Sequence, residues 1–417
     1  MMRASHGLVL AVLGLLIVAT VMVNSASLSL SGSQPTTTDG IFLGKHTWFA
    51  VAAFAALVAG FWVPVDRLGT TGRRWWQTPV AWIAIGTAVC LLLVLVPGVG
   101  RSVNGARRWI TLGPIGLQPS EVAKWAMPIV VAWYAVRERA RLSTFKWGFA
   151  VPLGVVSLFC GFIALQDLGT AVLIMLVSVA MLLAAGMRWV WVAAMAPVGL
   201  LAFVALIITS PYRVNRIIAF LDPYKDPQGI GYHIIQSMEA ISGGGMAGRG
   251  LGNSELKFGY LPEATTDFIY SIVSEELGLI GAAVIVALYV LLVACGLAIV
   301  TATSRPAEGG LRGMWRGGSE GTPLLSNFSQ LVGFGFVLTV GLQALINICV
   351  VTGLAPTKGI ALPLMSRGGT GWILTCLSLG MLVALERAAD RRRRELGVPV
   401  PGEEPESDAG AQGTAAA

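Results

Sequence analysis

The chain has 417 residues, 55% of them hydrophobic and only 12% charged, with a mean hydropathy of +0.73. That balance excludes an ordinary soluble protein, so a length that would otherwise suggest roughly two or three soluble domains reads as one polytopic membrane domain. The formal charge of +7 does not argue for a nucleic-acid partner: the basic residues stand in short clusters between apolar runs, where membrane topology accounts for them.

In chain order, apolar runs close to the ~20 residues that cross a bilayer fall at 7–24, 46–65, 78–97, 119–136, 147–165, 170–186, 190–209, 269–300, 329–352 and 370–386. They predict an all-α polytopic fold of about ten transmembrane helices. The first run follows a short basic leader and reads as a membrane helix rather than a cleaved signal peptide. The run at 269–300 exceeds one straight crossing, which predicts tilt or a portion outside the hydrocarbon. Lys and Arg favour the side holding both termini, which is therefore assigned to the cytoplasm. The outer segment 210–268, between spans 7 and 8, is too long for a mere connector. Within it, "YHIIQSMEAI" (232–241) has helical spacing. The domain reading is one membrane domain over 1–390, then a tail over 391–417 that is basic and then disordered. The five cysteines lie in apolar runs without metal spacing, and the three histidines form no zinc motif.

Several polar features stand out against this background. "GGGMAG" (243–248) fits GxGxxG but lacks a βαβ context; it reads as a loop whose backbone approaches a partner closely. In "LQPSEVAK" (117–124), Glu121 and Lys124 share a helix face, as an internal salt bridge or as the polar wall of a cavity. In "LQDLGT" (165–170), Asp167 stands at a turn, where it caps the next helix or serves a site. "NGARRWITLG" (104–113) sets Arg107 and Arg108 beside Trp109, as an interfacial belt or an anion site. Further cations in outer segments (Arg213, Arg216, Arg249, Lys257, Lys358 and Arg367) run against the topological bias and suggest an anionic ligand such as a lipid-linked phosphate.

Asp267 precedes the eighth run. Residues 267, 271, 274, 275 and 278 recur on one helix face, small or polar, that must turn toward protein or a wet cavity. Asp267 and Glu275 are about 12 Å apart along a helix axis, too far for a shared-proton pair. A carboxylate among cations there suits either a helix cap, a general base acting on a hydroxyl, or an oxygen ligand for a divalent cation.

Taken together, "NGARRWI", "QPSEVAK", "QDLGT", "DPQGIGYHIIQSMEAISGGGMAGRGLG", "LPEATTDFIYSIVSEELG" and "PTKGIALPLMSRGGTGW" resemble, in order, the signatures of the SEDS family (FtsW, RodA, SpoVE), over roughly residues 7–390. "NGARRWI" and "FLDPYKDPQGIGYH" are more similar to its division-type branch. The resemblance implies a ten-span peptidoglycan glycosyltransferase that polymerises lipid II into a nascent glycan strand at the outer face of the bacterial cytoplasmic membrane. It also implies a class B penicillin-binding protein and other division proteins as partners. The family's essential aspartate falls on Asp267, its important Glu and Lys on Glu121 and Lys124, and its QDxGT aspartate on Asp167. Two departures stand out: Ser366 is followed by Arg367 where the family usually has Tyr, and Thr265 stands where His is common. On this reading Asp267 is the catalytic base, alone or with a divalent cation (Mg or Mn). Arg107, Arg108, Trp109, Lys358, Ser366 and Arg367 complete a substrate-binding set with Glu121, Lys124 and Asp167. A lipid II flippase, an elongation-type polymerase and a non-catalytic scaffold are the alternatives.

Overall fold

A computed structural model describes residues 3–30, 45–70, 75–103, 106–112, 115–257, 263, 265–302, 325, 327–357, 359–367 and 369–395. Each of the ten apolar runs forms a helix. These are α1 (Ala4–Leu30), α2 (Lys45–Gly60), α3 (Pro79–Leu93), α4 (Pro119–Arg137), α5 (Val151–Ala164, entered through a π turn at Phe145–Ala150) and α6 (Leu168–Ala184). Then come α7 (Trp189–Ile208), α8 (Pro211–Leu221) and α9 (Tyr232–Gly243). The last three are α10 (Ile269–Ala302), α11 (Phe328–Val351) and α12 (Gly369–Glu395). Helices α8 and α9 belong to the long segment between spans 7 and 8. The chain is therefore a multi-pass membrane protein. Helix α12 carries Arg391–Arg394, and the tail from residue 396 lies outside the described residues.

Local signals set the helix starts. Pro119 and Pro211 occupy first turns, where a missing N–H costs nothing. Thr144 accepts from the Trp147 amide, and Asp167 caps α6 by accepting from the Thr170 amide at 3.0 Å. The core is built where α1 packs on α10, α2 on α12, and α4, α6 and α11 on one another. Helix α7 buries no side chain, so its apolar surface is left to lipid.

One expectation fails locally. Residues 100–117 form a three-stranded antiparallel sheet, β1 (Gly100–Val103), β2 (Ala106–Leu112) and β3 (Ile115–Leu117), in the order β1-β2-β3. Gly100 pairs with Ile110 and Ile110 with Leu117, and the register shifts between Arg101 and Ser102. The sequence signal was Asn104-Gly105 between β-prone stretches.

The overlong eighth run is explained by a break. Gly278 adopts φ 67° and ψ −166° inside α10. The glycine-rich loop fills the gap: Leu279 N donates to Gly245 O at 2.9 Å, and Arg249 N to Glu275 O at 3.0 Å. A Cβ at Gly278 would lie 2.3 Å from Gly248 N. The close partner of "GGGMAG" is thus the chain's own helix. Gly278→Ala should cost about 2 kcal/mol or more, because it adds a left-handed penalty to a backbone clash. A lowered thermal midpoint in detergent checks this; an unchanged one would mean the break is not needed.

Candidate active site

Asp267 sits on a tight turn just ahead of α10. Thr266 N and Phe268 N both donate to Glu263 O, at 3.0 and 3.3 Å, and Glu263 itself has φ 56°, a strained conformation for a non-glycine residue. Asn347 of α11 clamps the turn from below: its Nδ2 donates to Asp267 O at 2.9 Å and to Ile360 O at 2.7 Å. Ser366 ties the segment before α12 to the same turn. Its Oγ accepts from Leu362 N and donates to Thr266 O, both at 2.6 Å, while Arg367 N donates to Thr265 O at 2.8 Å. The Ser366 hydroxyl is therefore occupied in positioning Asp267's backbone. The Arg367 side chain is exposed.

Among the described residues, no hydrogen bond or ion pair reaches the Asp267 carboxylate. The bare backbone of Gly359 lies against it, since a Cβ there would sit 3.3 Å from Asp267 Oδ2. Burial pushes the Asp267 pKa up to about 7, helped by the negative charges of Glu263 and Asp167; Arg216 and Arg108 pull the other way. Residues from α6, β2, α8 and the turn at 263–267 therefore share one electrostatic site, which distances along the chain conceal.

Arg108 and Asp167 also line a narrow pocket of about 40 Å³ whose walls include Leu95, Phe162 and Leu165. Arg108 Nε is buried in that wall without a partner among the described residues, a donor suited to an anionic oxygen. Asp167 spends its carboxylate locally, accepting from Thr170 N and, at 2.7 Å, from Thr170 Oγ1. Trp109 is half-buried with its ring over Gly116. Arg107 lies in β2 with its side chain outside the described residues, as is Lys358 entirely.

Glu121 and Lys124 pair at 2.7 Å, and Lys124 also donates to Gln343 Oε1 at 2.9 Å; Gln343 Nε2 in turn donates to Ala361 O at 2.6 Å. This relay runs from Glu121 to the Ala361 carbonyl and props the 359–367 segment from inside the bundle. Gln343 and Asn347 are contributors that the sequence reading passed over; their signal was two amides four residues apart in an apolar run. His233 was also missed. It stacks on Phe268 at 5.9 Å, and burial, with Arg216 adding to it, lowers its pKa against the pull of Glu263. Arg216 donates to Thr357 O at 3.1 Å and stacks on Tyr212. Arg213 donates to the Leu206 and Ala164 carbonyls, both at 2.7 Å, which ties α8 to the ends of α7 and α5.

The stripe below Asp267 turns inward, with Ser271, Ser274 and Glu275 all buried. It meets protein rather than a ligand: Ser271 bonds Ser237 of α9 at 2.8 Å. Two cations proposed for an anionic ligand are already engaged. Lys257 is fully buried against Glu276 at 3.0 Å, and Arg249 pairs with Glu255 and Glu275 at 2.8 and 3.4 Å. Their positions over the α10 break, not visible in sequence, account for this. Among the described residues no group of three His, Cys, Asp or Glu is placed to hold a metal.

The fold and this site define a class: a multi-pass membrane protein with a carboxylate free of hydrogen bonds from the described residues at one end of the bundle, close to a pocket lined by Arg108 and Asp167. The chain belongs to the FtsW/RodA/SpoVE family of cell cycle proteins, whose family model matches residues 6–391. It is 36% identical over 388 residues to the "Probable peptidoglycan glycosyltransferase FtsW" of Aromatoleum aromaticum, covering 92% of this chain and 88% of that one. It is 35% identical to stage V sporulation protein E of Bacillus subtilis, covering 91% and 96%. A solved structure described as "Structural coordination of polymerization and crosslinking by a peptidoglycan synthase complex" is similar with TM-score 0.64 at 27% identity, covering 92% of this chain and 97% of that one.

Proposed function

We propose that this chain is a peptidoglycan glycosyltransferase of the division type, which polymerises lipid II at the outer face of the bacterial cytoplasmic membrane. The observation that carries the reading is Asp267: a carboxylate with no hydrogen bond from the described residues, tuned to about 7, whose electrostatic neighbours Arg108 and Asp167 line a pocket where the Arg108 Nε has no partner among the described residues. A base of that strength titrates near neutral pH, where proton abstraction is most effective. The names of the relatives agree with it.

On this reading, Asp267 takes the proton of the acceptor's GlcNAc 4-hydroxyl. The oxygen attacks the donor's MurNAc C1 with inversion, and the bond to the lipid pyrophosphate breaks with its electron pair leaving on the phosphate. Arg108 opposes that developing charge. The apolar walls, Leu95 and Phe162 among them, suit the lipid's first isoprenes, and entry requires the narrow pocket to widen. A magnesium-type cation, if used, would be held by the carboxylate of Asp267 plus phosphate and water oxygens. When bound, such an ion would supply charge neutralisation. A class B penicillin-binding protein is the partner this reading expects, in line with the coupling of polymerisation and crosslinking described for the similar complex.

The test is conversion of lipid II to polymer by the purified protein, alongside a liposome assay of headgroup translocation. Polymer without translocation supports the reading, and translocation without polymer defeats it. Arg108→Gln should lower the polymerisation rate about 10²-fold, as loss of one charge-stabilising donor typically does. A fall in KM-dependent binding alone, with turnover intact, would remove Arg108 from the chemistry.

A further inference from the structure

The ends of α1, α2 and α12 meet at the opposite membrane surface, across the spans from Asp267. Five arginines (Arg3, Arg67, Arg387, Arg391 and Arg394) and only two aspartates, Asp66 and Asp390, line a pocket there of about 640 Å³. That volume lies in the range of small-ligand sites. Arg3 is neutralised by Asp390 at 3.3 Å. Arg67, Arg387 and Arg391 are exposed and form no ion pair among the described residues. Arg387 lies over the Phe61 ring at 5.4 Å, which holds its guanidinium at the mouth.

Topology alone needs cations near helix ends, not their convergence on a concave site from three separate chain segments. The chemistry of the mouth narrows the ligand further. Trp62 is 79% exposed at the rim, and Val51, Phe54, Val58 and Trp62 follow one another at helical spacing, all exposed. An apolar stripe thus runs from the arginines along α2 into the bilayer.

We infer that this pocket binds an anionic glycerophospholipid. The phosphate sits among Arg67, Arg387 and Arg391, whose guanidinium forks match its oxygens, and an acyl chain lies along the α2 stripe. The continuity of arginines and stripe selects a lipid over a soluble phosphate, which would use only the former. The site is separate from the proposed glycosyltransferase centre and does not depend on it.

The test uses the full-length protein, delipidated in detergent, titrated with phosphatidylglycerol or phosphatidylcholine and followed by native mass spectrometry and thermal melting. Phosphatidylglycerol is expected to bind and to raise the melting temperature, whereas phosphatidylcholine is not. The triple variant R67Q/R387Q/R391Q should bind phosphatidylglycerol about 100-fold more weakly. A control, R139Q/R188Q, removes two arginines outside the pocket and should bind as the wild type does. If the triple variant melts early in phosphatidylcholine, Arg67→Gln alone is read instead, with about a fivefold loss expected. Unchanged binding in the triple or the single variant overturns the inference, as does an equal loss in the control. Saturation by glycerol phosphate at the same concentration overturns the lipid assignment.

Discussion

Asp267→Asn is expected to cut lipid II polymerisation by about 10²–10⁴-fold, the range a positioned general base contributes, with a melting temperature at least equal to that of the wild type. The second half of that expectation separates chemistry from folding. The carboxylate accepts no hydrogen bond from the described residues, and burial works against its charge. A neutral amide of the same shape removes that penalty without removing a contact. The backbone bond from Asn347 to Asp267 O is untouched by the change.

The same residue predicts two opposite pH dependences. Its folded-state pKa is raised from 3.8 to about 7. The folded chain therefore holds a proton that the unfolded chain has lost between those values. The stability this contributes is fully present below the lower value and is lost as pH rises through about 7. Polymerisation should do the reverse, because the base must be ionised: the rate climbs as pH approaches 7 and levels above it. A wild-type profile flat through neutral pH, or an Asp267→Asn variant that still polymerises, would sink the assignment of Asp267 as base.

The second large effect is on stability. Lys257→Met should destabilise the chain by about 3–5 kcal/mol, the usual cost of orphaning a buried charge. Lys257 and Glu276 are both fully buried. Lys257 also donates to Gly252 O at 2.6 Å and Ser25 Oγ at 3.3 Å, which fastens the segment between spans 7 and 8 to α1 as well as α10. Glu276 further accepts from the amides of Gly252 and Ser254, at 3.0 and 3.4 Å. In the double variant K257M/E276Q neither charge of the pair is left buried, and the glutamine oxygen still serves one of the two amides. It should recover most of the loss, and a double-mutant cycle in detergent measures the difference. A double variant whose loss equals the sum of the two single losses would show that the pair is not coupled.

The contrast between these residues shows where the sequence was legible. Asp267 and Lys257 look alike as text: each is a charge in a segment flanking the same apolar run. Asp267 was singled out by its place before α10 and by the polar stripe below it. Lys257 reads in sequence as a ligand-binding cation, because nothing near it in the chain reveals that Glu276 waits beside the break at Gly278. Arg249 carries the same ambiguity, since its partners Glu255 and Glu275 come together only in the fold. The sheet at 100–117 was missed although Asn104-Gly105 announced a hairpin, because the surrounding hydropathy drew the reading toward membrane spans.

Ten helical runs, six of them long and apolar enough to cross a membrane among the described residues, and the presence of an anomalous acid at the head of the eighth, were determined by sequence alone. The cost of placing a side chain in lipid belongs to that residue and its immediate neighbours, so a local run is enough to show it. Tertiary structure alone decided which charges meet at a site and which cancel in the core. Asp167, Arg108, Arg216 and Asp267 come to one site from separate elements, while Lys257 and Glu276 cancel one another in the core. A charge's pKa, and its availability to a substrate, depend on what lies within a few ångströms in space, and that neighbourhood exists only once the helices have packed.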